Sequence, residues 1–269
     1  MSTNKSEIIY DMHKHIPEIY DQIEDETHDI RFILDLIKDK NIENILEPFC
    51  GNGRIMLPLA EAGYEVCGMD LSINMLNHFK KKLEKRSEEI RTKIKLIHSD
   101  ILKDPWPKNF DMIILGCNCM FELPTPEVQQ KVLQKAYTSL NTNGLLFVDN
   151  DNMEGELAKD WCDIGKEKPI FPNGICEHGI EFKGSYKTLE VDRSNRIWRA
   201  KRRIDIKYPD GKQESKTFLQ QKHPVSAFEI KDWLQDIGFN IIKIWADIEN
   251  KQQFQQGADR ASFVAVKKE

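Results

Sequence analysis

The 269-residue chain has no segment that approaches the ~18 consecutive apolar residues a bilayer-spanning helix needs. Its start, Met1 to Ser6, sets no apolar stretch behind a basic head. A non-membrane protein is expected, cytoplasmic by default. Basic residues are not in excess: the formal net charge is -5 and the pI about 5.9, so the chain as a whole has no attraction for phosphate backbones, and nucleic acid is not an expected partner. Cysteine is too sparse for a disulfide framework. There are six, and Cys50, Cys67 and Cys117 fall on expected buried strands or their ends. The length suits one large domain with an insertion.

What is present is a strand, a glycine loop and a second strand with an acid at its end. Asn44-Ile-Leu-Glu-Pro-Phe-Cys-Gly-Asn-Gly-Arg54 begins as an apolar run, and Gly51 and Gly53 then supply backbone that can turn tightly and let a ligand approach its amides. Arg54 to Ala62 reads as a helix that stops at Gly63. Val66 to Met69 reads as a central parallel strand, and Asp70 after it would stand at the carboxyl edge of the sheet, where a carboxylate can accept ribose hydroxyls. A third strand, Ile94 to His98, again leads to an acid, Asp100, followed by Ile101. The third glycine of the dinucleotide fingerprint is missing, which disfavours an oxidoreductase. Glu47, Asp70 and Asp100 are expected to line one pocket. Such a pocket repels a pyrophosphate and suits a ligand carrying an ammonium, a ribose and an adenine amino group.

With these residues in place, the chain resembles the class I S-adenosylmethionine-dependent methyltransferases, in particular their small-molecule branch, over roughly residues 30–150 and 226–267. The resemblance implies a Rossmann-like α/β fold: a seven-stranded, mostly parallel sheet whose last strand is antiparallel. It implies S-adenosyl-L-methionine as cofactor, with Glu47 and the Cys50-Gly51-Asn52-Gly53 loop on the methionine moiety, Asp70 on the ribose with Ser72 beside it, and Asp100 with Ile101 on the adenine. Leu71 would pack on the adenine face, Cys117 and Asn118 would lie near the sulfonium, and an N-terminal segment carrying Tyr20 would cover the cofactor. Phe49 stands where the family usually has glycine, and Glu47 where aspartate is commoner.

The implied organisation is an N-terminal cap at 1–26, a cofactor-binding core at 27–150 and 225–269, and a β-rich insertion at 151–224 over the substrate site. In the core, Thr27 is expected to cap a helix through Lys38, and Ser72 to Thr92 to form one helix whose charged second half is a solvated face of mixed sign. Thr125 and Pro126 should start a helix whose Val128, Val132, Leu133, Ala136 and Leu140 stripe is core. Asn143-Gly144 turns into a fifth strand. Ser226 with Glu229 forms a capping box for a helix that Gly238 ends, and strands at 241–246 and 262–267 follow. Inside the insertion, 182–191, 196–208 and 216–221 read as antiparallel strands. On the middle one, Trp198, Ala200, Arg202, Ile204, Ile206 and Tyr208 share one face, and Arg199, Lys201, Arg203 and Lys207 the other. Arg202, a cation on the inner face, is the substrate-contact candidate.

Methyl transfer needs the nucleophile held in line in a dry site, and an oxygen or amine nucleophile must also lose a proton. Candidate bases are His178 and His223 in the insertion, Glu122 past the fourth strand, and Tyr10. Cys117 and Cys119 flank Asn118, and ordinary packing is preferred to a metal-binding pair, so no metal is expected. A small-molecule acceptor methylated on nitrogen or oxygen is the leading reading. The alternatives are a nucleic-acid or protein methyltransferase and a non-catalytic cofactor-binding subunit. Against a base methyltransferase, the chain after the fourth strand reads Gly116-Cys-Asn-Cys-Met-Phe-Glu122 and lacks the Asn/Asp-Pro-Pro-aromatic tetrapeptide. The metabolite and the oligomeric state are left open by these residues.

Overall fold

Two alternating apolar patterns divide the chain into two sheets. A computed structural model describes residues 9–24 and 27–268, so residues 1–8 and 25–26 of the expected N-terminal cap lie outside the described residues. After a single 3-10 turn at Ile9–Asp11 come α1 (Ile16–Ile23) and α2 (His28–Ile37). The core then runs β1 (Asn44–Pro48), α3 (Met56–Glu61), β2 (Glu65–Asp70), α4 (Ile73–Glu84), α5 (Glu88–Thr92), β3 (Ile94–His98), β4 (Phe110–Leu115), α6 (Pro126–Ser139) and β5 (Leu140–Asp151). A meander follows, β6 (Glu167–Ile175), β7 (Glu181–Asp192), β8 (Ile197–Lys207) and β9 (Gln213–Lys222), and α7 (Ala227–Ile237), β10 (Phe239–Asp247), β11 (Gln252–Gln253) and β12 (Arg260–Lys267) complete the chain.

The larger sheet has the order β11-β10-β12-β5-β4-β1-β2-β3. β12 pairs antiparallel with both β5 and β10, while β1 to β5 pair parallel. This is the mostly parallel Rossmann-like sheet with an antiparallel last strand, plus an eighth, two-residue edge strand that was not expected. The central strands β1, β2, β4 and β5 bury apolar side chains on both faces. Ile45, Val66, Met112, Ile114 and Phe147 pack with α2, α3 and α4 residues on one side, and Leu46, Met69, Ile113, Leu146 and Phe263 with α6 and α7 residues on the other. The strand order reverses between β1 and β4, which places a crevice over the carboxyl ends of the strands at the glycine loop.

The expected stops and starts are met where a side chain enforces them. Thr125 and Ser226 accept the amides of Val128 and Glu229, Glu229 completes the capping box, and Gly238 closes α7 at φ 108°. Thr27 precedes α2 but makes no capping hydrogen bond. The single helix expected over 72–92 is two, because Ser87 accepts the Ile90 amide and starts α5 anew. The fourth strand stops at Leu115, and Cys117 and Asn118 form a left-handed turn at φ 54° and 59°.

The second sheet has the order β6-β7-β8-β9. β6, which carries Pro169, Pro172 and Gly174, was not among the expected strands. It is an edge strand, where proline costs no ladder bond on the open side. The inner face of β8 is buried as its alternation requires, Arg202 included at 4 % exposure, while Lys201, Arg203 and Lys207 are exposed. α1 lies between the sheets: Ile16 and Ile19 pack with Phe182, Ile204 and Ile206, and Gln22 donates to the Ile175 carbonyl at 3.0 Å.

Candidate active site

The glycine loop is tied to β2 by Asp70. One carboxylate oxygen accepts the Gly51 amide at 2.8 Å and the other the Ser72 amide at 2.7 Å, so the acid fixes both the loop after β1 and the turn into α4. Burial raises the Asp70 pKa to about 6, against the pull of the two amides, and Asp11 adds to the rise. Glycine is required at two places. A Cβ on Gly53, at φ 79°, would stand 2.2 Å from the Phe79 ring, and a Cβ on Gly68 would meet Met56 Sδ at 2.3 Å. Gly51, at φ 54°, has more room, 3.1 Å to the Met75 methyl.

Glu47 ends β1 buried at 5 % exposure, and its Oε2 has no hydrogen-bond partner. Burial pushes its pKa well above the usual carboxylate range, with the Arg54 guanidinium pulling the other way. Asn52 donates to Asp21 on α1 at 2.7 Å, and its buried Oδ1 likewise has no partner. Two buried acceptors thus stand unpartnered on and beside the glycine loop. Acceptors are what a group with an ammonium and hydroxyls requires, so the residues present fit S-adenosylmethionine.

The N-terminal segment packs over this edge. Asp11 accepts the Ser72 hydroxyl at 2.6 Å and the Asn74 amide at 3.2 Å, and Asp21 also binds His78 at 2.7 Å and Lys82 at 2.6 Å on α4. Tyr10 and Tyr20 meet edge to face at 5.9 Å and both contact Phe171 of β6. The Tyr10 phenol is held protonated, its pKa raised by burial and by Glu122, Asp70 and Cys117 nearby; Tyr20 is raised likewise. Arg54, immediately after the loop, makes a bidentate pair with buried Asp29 and donates to Cys117 Sγ at 2.9 Å. Burial raises the Cys117 pKa to about 11 even so.

Across from the loop, Glu122 links the two sheets. It accepts from Lys222 and, at 3.1 Å, from Gln220, and Gln220 in turn accepts from Arg202 at 2.7 Å. Arg202 also donates to the Phe171 carbonyl at 2.7 Å. Of the proposed bases, Glu122 and Tyr10 are the two brought into one neighbourhood. His223 is elsewhere, buried at 1 % exposure with Nε2 2.9 Å from Glu229, the α7 capping residue that also binds Arg196. His178 sits on the β6–β7 turn against His15, ring centroids 4.4 Å apart. Asp100 closes its own turn, accepting the Leu102 and Lys103 amides at 3.0 and 3.2 Å and pairing with Lys103. Ile101 is buried, Leu71 half-buried, and Asn118 is tied to Asp151 at both ends of its amide. Sequence reasoning missed Asp29, Gln220 and Lys222; the one available signal was Arg54, beside the glycines but given no role.

A depression of about 410 Å³ lined by Ile42, Glu43 and residues 62–65 lies at the opposite edge, where β1 and β2 begin. The cation-bearing outer face of β8 is largely self-neutralised, Arg199 on Glu190 at 2.9 Å and Arg203 on Asp205 at 2.7 Å. Among the described residues no helix is long and apolar enough to cross a membrane.

Residues 45–144, β1 through the turn into β5, match a family model described as a methyltransferase domain. The chain carries a methyltransferase domain, with the fold of S-adenosylmethionine-dependent enzymes. A curated protein of Geobacillus sp. (strain WCH70) named "Putative methyltransferase" is 25% identical over 229 residues, 84% of this chain and 85% of the relative. In fold, the enzyme is similar to an S-adenosylmethionine-dependent methyltransferase from Clostridium acetobutylicum (TM-score 0.72, 15% identity, 93% of this chain and 97% of the other). It is also similar to a sugar N-methyltransferase from Streptoalloteichus sp. (TM-score 0.68, 14% identity, 100% and 99%). The methyltransferase's cofactor is therefore S-adenosyl-L-methionine.

Proposed function

We propose that this enzyme methylates a nitrogen or oxygen of a small polar molecule held between the glycine loop and the second sheet. The observation that carries the reading is the Glu122–Gln220–Arg202 chain, a hydrogen-bonded polar group that adjoins the Tyr10–Tyr20–Phe171 aromatics through Arg202 on the Phe171 carbonyl. S-adenosylmethionine supplies a methyl group on a sulfonium, already activated for transfer. The protein's share is placement, exclusion of water and custody of one proton. In this reading Asp70 accepts from the ribose, Glu47 Oε2 and the loop take the methionine end, and Ile101 with Leu71 flank the adenine. Residues 9–23 lie over the cofactor as a cap, and the β6–β9 sheet over the acceptor.

Glu122 is the group placed to receive the acceptor's proton. It is exposed, it is held by Lys222 and Gln220, and it lies in the electrostatic neighbourhood of Tyr10. Tyr10, kept neutral, donates a hydrogen bond. A polar amine or hydroxyl acceptor suits these groups, and the fold shared with a sugar N-methyltransferase supports that class. The paired cations on the outer β8 face and the net charge of -5 speak against a polynucleotide.

The test is release of S-adenosylhomocysteine with panels of amino sugars, small amino acids and polyols, wild type against Glu122→Gln. Turnover with a member of one panel, reduced about 10²-fold in the variant over a pH range where the wild type is active, supports the reading. Turnover that Glu122→Gln leaves intact removes Glu122 from the proposed role.

A further inference from the structure

Away from the glycine loop, four chemistry-bearing side chains meet where α1 crosses the second sheet. His15 and Glu18 stand one helical turn apart, so both face the same way, and Cys176 and His178 occupy the tight turn from β6 to β7. One ligating atom each from His15, Glu18 and Cys176 lies within 4.8 Å of the others, and His15 and Cys176 are buried at 7 % and 4 % exposure. The exposed His178 ring lies against His15, centroids 4.4 Å apart and planes tilted by 55°. The Cys176 turn is rigid, its amide bound to the Ile180 carbonyl at 3.0 Å and its carbonyl to the Gly179 amide at 2.9 Å.

A plain helix start accounts for part of this. Glu18 lies in the first turn of α1, where a carboxylate is favoured, and its Oε1 is 2.6 Å from His15 Nδ1. It does not account for the rest. Glu18 Oε2 is buried with no hydrogen-bond partner, His15 makes no side-chain capping bond to the helix, and a thiol is aimed at the same point.

We propose that His15, Glu18 and Cys176, with His178 turning in as fourth donor, bind one divalent ion of the Zn²⁺ class. The donor set is that of zinc: one thiolate, one carboxylate and two imidazoles in a tetrahedron, with metal–ligand distances of about 2.0–2.3 Å. The donors' present spread closes by side-chain rotation, which the exposed His178 is free to make. Charge favours the same ion, because one thiolate and one carboxylate neutralise a dication inside a partly buried site, and a hard ion such as Mg²⁺ would gain nothing from sulfur. Binding releases the Cys176 proton and any proton on the imidazoles. The ion would pin α1, which carries Tyr20 and Asp21, to the β6–β7 turn, fixing the lid relative to the second sheet. The site stands apart from the methyl-transfer reading, and neither depends on the other.

The experiment is Co²⁺ titration of the full-length protein, followed by Zn²⁺ displacement, with melting temperature as a second readout. The expected result is one equivalent of Co²⁺ giving a sulfur-to-cobalt charge-transfer band and the intense visible bands of a tetrahedral ion, both removed by Zn²⁺, which raises the melting temperature. Cys176→Ser should lose the charge-transfer band, and His178→Ala, a change of an exposed residue, should weaken binding at least tenfold; a far-UV circular dichroism spectrum matching that of the metal-free wild type shows that both variants are folded. No bands in the wild type, or bands that persist unchanged in Cys176→Ser because Cys117, Cys119 or another thiol is the ligand, would overturn the proposal.

Discussion

The two sides of the proposed active site are built from opposite materials. On the cofactor side, the carboxyl edge of β1 and β2, position is set by backbone: Asp70 grips two main-chain amides, and the turn works because Gly53 and Gly68 leave room for Phe79 and Met56. On the acceptor side, position is set by side chains reaching between sheets, Glu122 to Lys222 and Gln220, Gln220 to Arg202. A backbone-built cradle tolerates little change and suits a ligand that never varies. A side-chain wall can be rebuilt by a few substitutions without disturbing the fold, and suits the partner that does vary.

That contrast can be broken or sharpened by experiment. The largest effect is expected from Gly53→Ala: a Cβ driven into the Phe79 ring at a positive φ should cost about 2–5 kcal/mol of stability, read as a lowered denaturation midpoint. On the acceptor side, Arg202→Leu should keep the melting temperature within a few degrees and leave S-adenosylhomocysteine affinity unchanged, while kcat/KM for the acceptor falls about 10–100-fold; a parallel loss of cofactor affinity would mean the two sides are not separable.

The cradle should also show its acid. Asp70, with its pKa raised to about 6, must be ionised to hold two amides and accept hydroxyls, so cofactor affinity at pH 5 should be about tenfold below that at pH 7.5. Stability responds with the other sign. A carboxyl whose folded pKa is raised binds its proton more tightly when folded, so its stabilising contribution is complete below the unfolded value near 3.8 and is lost as pH rises through about 6. Glu47→Gln gives the smallest change, a melting temperature about 2–4 °C higher at neutral pH, because burial disfavours the carboxylate form that the unfolded chain holds there and an amide carries no such cost, with weaker cofactor binding. An unchanged or lower melting temperature would mean that the carboxylate has partners in solution.

The same contrast explains what could be read in the sequence. Glu47 and Asp70 were legible because they end apolar runs beside glycines, and the caps at Thr125 and Ser226 because both partners lie within three residues. The Arg54–Asp29 pair spans 25 residues, and Glu122 finds Gln220 and Lys222 across 98 and 100. No local period marks such contacts. Arg202 could be placed on the inner face by alternation alone, but its partners could not. His223 looked reactive because a lone histidine carries no sign of its surroundings, and its surroundings are a helix cap. Asp100 looked like a ligand contact, and the turn it closes is within three residues of it.

The most direct test is calorimetric titration of S-adenosylhomocysteine into the wild type and Asp70→Ala, with NAD as a control. The account predicts micromolar-range binding of S-adenosylhomocysteine alone by the wild type, and at least a hundredfold loss in Asp70→Ala, which removes an acceptor and frees two loop amides at a cost of about 3 kcal/mol. Equal affinity in the two proteins would contradict it, because the cofactor would then bind somewhere other than the edge that Asp70 holds.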